Sequence, residues 1–251
     1  MSKRSQRNRD HQLYENVVTL AGSTPSIPAG KDDNDSPSSH ESGPIADDVL
    51  LRSRDLSRVL TAADPGKREL VKMKKFRFQL LHQWMQENIA PCRVADIGGG
   101  KGLLAHLLNG SGWEATVVDP VSQGLPTKYK DLGTDRQVRI AETESVNRRD
   151  SCFTGDMARD FDLLVAMHAH GCNIQLIDAA AEFGRGFIVL PCCIIDEPLY
   201  PPPGMHWLQC VTDYAKGRGF TIEPFRLNFK GQNIGLYAKT PARIVPSDGR
   251  K

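Results

Sequence analysis

The sequence predicts an α/β fold built on a mostly parallel sheet, and three observations lead there. Val94-Ala95-Asp96-Ile97 runs through Gly98-Gly99-Gly100-Lys101-Gly102 straight into Leu103-Leu104-Ala105-His106-Leu107-Leu108, the pattern of a strand, a tight glycine turn and a helix. Apolar runs of strand length then alternate with segments of helical spacing. The last two apolar runs, 220–227 and 234–239, are joined by Asn228-Phe229-Lys230-Gly231-Gln232-Asn233 and read as a terminal hairpin.

A chain of 251 residues can bury the core of one such domain and carry an appendage. Its formal net charge of +2 does not by itself announce a nucleic-acid partner. The charge is unevenly spread, however: nine Lys and Arg lie between Arg52 and Arg77 against Asp55, Asp64 and Glu69, which leaves the remainder net acidic. Such a segment is either a footprint for phosphates or a solvated helix face. Six cysteines without an apolar N-terminal leader fit a reducing, cytoplasmic setting rather than a disulfide framework. No apolar run approaches membrane-spanning length, so no membrane association is expected.

In order, residues 1–48 are rich in Ser, Pro, Gly, Asn and Asp and are expected to be a disordered tail. Residues 49–66 form a linker, with a short helix expected over 45–60 and a turn at Asp64-Pro65-Gly66. The folded domain spans 67–241, and 242–251 is a flexible end. Leu70, Met73, Leu80, Leu81, Trp84 and Met85 keep close to a 3.6 period, which predicts an amphipathic helix over 67–88. Strand one is 92–97, helix A 101–111 and strand two 113–118, followed by Asp119-Pro120. After a weakly patterned stretch, 137–142 reads as strand three and the buried run 161–167 as strand four. A helix over 174–183 closed by Gly184, strand five at 186–190, and a helix over 207–217 complete the order before the hairpin.

The glycine turn is a ligand cradle, because glycines permit φ > 0 and close backbone approach. It is not a P-loop, since Lys101 is followed by Gly102. Nor is it the dinucleotide fingerprint, which would place a glycine at Leu103. An acid two residues before glycines at alternate positions resembles motif I of the class I S-adenosylmethionine-dependent methyltransferases. That resemblance implies a Rossmann-like, seven-stranded, mostly parallel sheet with helices on both faces and a C-terminal antiparallel hairpin. It implies S-adenosylmethionine as cofactor, with Asp96, Gly98, Gly100 and Gly102 around its methionine part. Asp119, 23 residues beyond Asp96, would hold the ribose, because one carboxylate can accept from two hydroxyls. In the family, an acidic or polar group after strand three meets the adenine. Glu142 to Glu144 or Gly155-Asp156-Met157 could supply it, and the short spacing from Asp156 to strand four favours Glu142. Met167 ends strand four against the cofactor.

His168 and His170 follow strand four, at the carboxyl end of the sheet where ligands sit. Either could orient or deprotonate an acceptor, since histidine titrates near neutral pH. Pro191, Cys192 and Cys193 follow strand five and face the same space. His-x-His-x-Cys with adjacent cysteines lacks the usual Cys-x-x-Cys spacing, so no metal site is expected. A helix before motif I borders the active site in this family, which makes Lys74 and Arg77 a candidate wall for an anionic substrate. The stretch from Asp162 to His170, an intervening helix, and Phe187 to Cys193 further resemble the tRNA(Ser) uridine 2′-O-methyltransferase family. RNA, with tRNA among the candidates, is the expected acceptor. A small molecule is the alternative, and so is a cofactor-binding scaffold without activity. A protein partner is left open.

Overall fold

The computed structural model describes residues 3–23 and 74–239. In chain order these form α1 (Lys3–Gly22), a 3-10 turn (Lys74–Phe76), α2 (Arg77–Asn88), β1 (Arg93–Ile97), α3 (Leu103–Asn109), β2 (Glu114–Val118), β3 (Lys128–Lys130), β4 (Gln137–Arg139) and β5 (Asn147–Arg149). A second 3-10 turn (Gly155–Asp160), β6 (Leu163–Met167), α4 (Asn173–Phe183), β7 (Gly186–Leu190), α5 (Trp207–Gly217), β8 (Glu223–Arg226) and β9 (Ile234–Ala238) follow. Seven strands make one sheet in the order β5-β2-β1-β6-β7-β9-β8. β9 runs antiparallel to both of its neighbours, and the other pairings are parallel. This is a Rossmann-like, mostly parallel sheet ending in a reversed strand.

The strand sequences explain the layering. β6 and β7 are buried at every position because both of their faces are covered, so they read as unbroken apolar runs. Alternate residues go to opposite faces. Leu164, Ala166, Phe187 and Val189 join α4 and α5 in one core cluster. Leu163, Val165, Met167, Ile188 and Leu190 join α2 and α3 in the other. On that second face Trp84 stacks on Phe225 with ring centroids 3.9 Å apart and meets Tyr237 edge-on, which ties α2 to the terminal hairpin.

Two expectations are corrected. The tail expected over 1–48 contains α1, a helix of 20 residues, and 1–2 and 24–48 of that span lie outside the described residues. Val17 is fully buried, and Leu13, Tyr14 and Ala21 pack beside it against the α4/α5 face. Lys216 of α5 donates its ammonium to the carbonyls of Leu20 and Ser23, placing a cation on the negative end of the helix. Strand three is also displaced: 137–142 does not enter the main sheet. Gln137–Arg139 pairs antiparallel with Lys128–Lys130 in a separate two-stranded ribbon, and Asn147–Arg149 lies beside β2 instead. The expected linker at 49–66 and the end at 242–251 fall outside the described residues. So does the beginning of the helix expected over 67–88, whose described part is Arg77–Asn88. Among the described residues no helix is long and apolar enough to cross a membrane.

The docking of α1 makes a measurable difference. Val17→Ala should lower unfolding stability by about 1–2 kcal/mol in urea titrations, because it removes two buried methyl groups and leaves part of their space empty. A disordered tail would show no change.

Candidate functional site

The sheet order reverses at β1, with β2 on one side and β6 on the other, while α3 and α4 pack on opposite faces. The loops after these strands therefore diverge and leave a crevice at their carboxyl ends. Asp96 occupies the second-to-last position of β1, 1% exposed, and turns its carboxylate under the glycine loop at Gly99. It accepts a hydrogen bond from the backbone N–H of Ala105, but its Oδ2 is buried with no hydrogen-bond partner. Burial pushes the carboxyl up to about 7, while the Ala105 amide opposes the shift and the nearby charge of Asp119 adds to it. The positive charge of Arg148 also opposes the shift, so the acid is about half protonated at pH 7, and a further cation brought close to it favours the ionised form.

The glycine loop is held open by specific contacts. Gly98 has φ +64°, its N–H donates to the carbonyl of Val118 at 2.8 Å, and a Cβ there would come within 2.7 Å of the Ala169 methyl. A side chain at 98 would thus push the loop into the segment that follows β6. Gly100 and Gly102 also have positive φ, and Gly102 precedes α3 in the left-handed conformation. Asp119, at the end of β2, accepts from the N–H of Gly100 and from that of Val121, each at 2.9 Å. Each oxygen retains further acceptor capacity. Arg148 on β5 binds the carbonyls of Gly100 and Val121 at 2.8 and 3.0 Å and is held in turn by Asp150. One guanidinium therefore ties the glycine loop, the segment after β2 and the edge strand into a single wall.

On the other side, Met167 ends β6 as a buried residue of the α2/α3 core. His168 takes the left-handed backbone conformation at φ 60°, an uncommon state for a residue with a Cβ, and its Nε2 donates to the carbonyl of Gln232 at 2.8 Å. Its ring thus points at the terminal hairpin. His170 is exposed, and its imidazole approaches the thiols of Cys192 and Cys193, with the ligand atoms of all three within 4.8 Å of one another. Pro191 is buried at the end of β7. Burial is the main reason the Cys172 thiol pKa is raised, and the nearby carboxylates of Glu197 and Asp119 add to it. All six cysteines lie outside disulfides.

The fold therefore brings Asp96, Gly98, Gly100, Gly102 and Asp119 together, and separately His170, Cys192 and Cys193. Glu142 is exposed in a turn before β5, because the strand it was expected to follow belongs to the ribbon. The residues that do follow the third sheet strand are Asp150 to Cys152. Asp156 sits in the 3-10 turn packed on α4, paired with Arg159. Arg77 opens α2 with its guanidinium 4.3 Å above the ring of Phe78 and its Nε buried without a partner. The side chain of Lys74 lies outside the described residues. Trp207 is buried in the α4/α5 core.

Two site residues were missed in the sequence. Arg148 was hidden in a polar edge strand. Glu197, 4% exposed, accepts from the N–H groups of Asn173 and Ile174 and from the Asn173 amide, capping α4 from 24 residues away. A cap supplied from so far along the chain leaves no local pattern. A groove of about 460 Å³ at the opposite, amino end of the strands includes Arg93 and Arg149, but these are spent on Asp162 and Asp160.

The state of Asp96 predicts a pH dependence. The folded carboxyl holds its proton up to about 7 while the unfolded one loses it near 3.8, so the native state binds the extra proton between these values. Stability is then lost as pH rises across that window, by up to about 1.4 kcal/mol per pH unit. Melting curves from pH 4 to 7 without added ligand should show this slope in the wild type relative to Asp96→Asn.

No family model matches the chain, and no curated protein does. Among solved structures the chain is similar to the ribosomal protein L11 methylase of Lactobacillus delbrueckii subsp. bulgaricus, at 18% identity over 71% of this chain and 84% of that one, with a TM-score of 0.41. It is also similar to Burkholderia thailandensis 1,6-didemethyltoxoflavin-N1-methyltransferase, whose structure holds 1,6-didemethyltoxoflavin and S-adenosylhomocysteine, at 14% identity over 88% and 100%, with a TM-score of 0.38. A putative hemolysin from Streptococcus thermophilus matches at 15% identity over 73% of each chain, with a TM-score of 0.44.

Proposed function

We propose that this protein is an S-adenosylmethionine-dependent methyltransferase acting on RNA. The observation that carries the first half is the Asp96 oxygen, buried without a partner under a glycine loop at the reversal point of the sheet. Such an oxygen asks for a donor, and a carboxyl shifted this far asks for a positive one. The α-ammonium of an amino-acid cofactor meets both demands. Asp119 stands at the end of the adjacent strand and has lone pairs left for a pair of ribose hydroxyls. When bound, S-adenosylmethionine supplies an electrophilic methyl group on a positively charged sulfur.

Displacement at such a methyl needs alignment and exclusion of water more than acid or base strength. Arg148 fixes the cofactor wall. On the acceptor side, His170 is the histidine assigned to take a proton from a hydroxyl, because the Nε2 of His168 is engaged by Gln232. His168 positions the loop, and Pro191 to Cys193 border the acceptor.

RNA as acceptor is supported by charge. The basic run from Arg52 leads into α2, and Gln79 of α2 hydrogen-bonds the carbonyl of Lys130 in the β3–β4 ribbon at 2.8 Å. Across that ribbon Lys128 faces Arg139 in register, and both are exposed. Like charges opposite one another are unfavourable unless an anion lies between them, which a phosphate backbone would provide.

Calorimetry with S-adenosylmethionine and its demethylated product should show saturable binding, weakened at least about tenfold by Asp119→Ala, the loss expected for a hydrogen bond to a charged group. Saturating cofactor should also flatten the pH slope assigned to Asp96. Labelled-methyl transfer should then favour RNA over a metabolite extract, with RNA affinity falling steeply between low and physiological salt. Absence of cofactor binding would remove the enzymatic reading, whereas transfer to metabolites alone would remove RNA.

A further inference from the structure

We propose that His170, Cys192 and Cys193 bind a thiophilic metal ion of the zinc class, with one coordination position open to solvent. The three side chains come from two loops, after β6 and after β7, and the parallel pairing of these strands puts the loops side by side. Each residue offers one ligand atom, and the three atoms lie within 4.8 Å of one another. The two sulfurs are 3.6 Å apart. Two thiolates on a tetrahedral zinc, at about 2.3 Å each, stand about 3.8 Å apart. The pair is therefore already at metal-chelating separation, and only small side-chain movements are needed to bring the imidazole into the same shell.

The loops are fixed by contacts that do not involve the three ligands. Gly171, at φ +67°, lies so close to Asp196 that a Cβ would meet its backbone oxygen at 3.0 Å. The next residue, Glu197, is locked to the start of α4 by hydrogen bonds to Asn173 and Ile174. His170 is thus anchored immediately downstream, and Cys193 is tethered four residues ahead of Glu197. Two neighbours that might have completed the set are committed elsewhere, because Cys172 Sγ donates to the carbonyl of His170 and His168 Nε2 to that of Gln232. Three protein ligands and an exchangeable fourth position follow. Two sulfurs and one nitrogen select zinc-like or monovalent copper ions over magnesium or calcium. Binding converts both thiols to thiolates and releases their protons to solvent. His170 is exposed and the cysteines half-buried, so an ion can reach the site from water.

The site uses none of the residues assigned to the cofactor, and its test is separate; with an ion bound, the one free lone pair of His170 is on the metal, so in that state His170 takes no proton from an acceptor. Full-length protein stripped of metal and kept reduced by a phosphine is titrated with Co(II) and followed by absorbance, and Zn(II) is then added. The expected result is a thiolate-to-cobalt charge-transfer band that saturates at one ion per chain and is bleached by zinc. Cys192→Ser with Cys193→Ser should abolish it, His170→Ala should weaken binding at least tenfold, and Cys152→Ser should leave it unchanged. If the double variant does not fold by circular dichroism, Cys193→Ser alone decides, with about half of the charge-transfer intensity expected from one remaining thiolate. No charge-transfer band, or a band that survives loss of the cysteines, overturns the site. Asp119→Ala should leave the cobalt titration intact, so failure here is distinguishable from failure of cofactor binding.

Discussion

A carboxylate buried in the middle of a parallel sheet is costly, and the arrangement around Asp96 follows from that cost. The end of β1 lies between β2 and β6, with a covered flank on each side and an opening where the strand order reverses. Placing an acid there keeps the charge from solvent and from neighbouring side-chain donors, while the glycine loop above it remains within reach of a ligand. Its one backbone donor, from Ala105, satisfies part of the group and leaves Oδ2 without a partner. Burying an unpaired polar atom costs on the order of 1–3 kcal/mol. The fold accepts that cost at a position where a bound cation would recover it.

Legibility in the sequence followed burial. β1, β6 and β7 are enclosed by neighbours and helices, so their residues had to be apolar and their boundaries could be read within a residue or two. β5 is the opposite case. It is an edge strand of three residues, Asn147-Arg148-Arg149, with one partner strand, and nothing in its composition separates it from a loop. The better apolar alternation at 137–139 draws the reading to a ribbon outside the main sheet, so Glu142, expected to follow a strand of that sheet, follows the ribbon instead. α1 was hidden by averaging. Its apolar face of Leu13, Val17 and Ala21 keeps helical spacing, but the segment around it is polar enough to resemble an unfolded tail.

The glycine motif and Asp119 were legible as types and spacings because the backbone conformations they need are local. The loops after β6 and β7 were legible only as an address. Strand ends locate His168, His170, Cys192 and Cys193 at the same edge, but their directions depend on backbone angles and on distant partners. A left-handed backbone at His168 turns that ring to the hairpin, while His170, two residues on, faces the loop after β7. Sequence spacing also conceals that three potential ligand atoms converge here, since the adjacent cysteines and the histidine are separated along the chain by a whole βα unit and meet only through strand pairing.

The two walls of the crevice are fixed by the same device used twice. On one side a charged group, Arg148, gathers backbone carbonyls from the glycine loop and from the segment after β2. On the other a charged group, Glu197, gathers backbone amides from the start of α4. Each joins segments that leave different strands, and each is mostly buried, so its hydrogen bonds are little screened by water. Neither group has to touch a ligand to matter. Loops that follow parallel strands are otherwise free to adjust independently, and a site that must hold two ligands in fixed alignment tolerates little of that freedom. The positive clamp holds the side that carries Asp119, and the negative clamp holds the side that carries His170 and the paired thiols. Rigidity of the crevice is therefore built from backbone groups that the parallel sheet leaves unpaired at its carboxyl edge, the same groups that make this edge the place where a ligand binds.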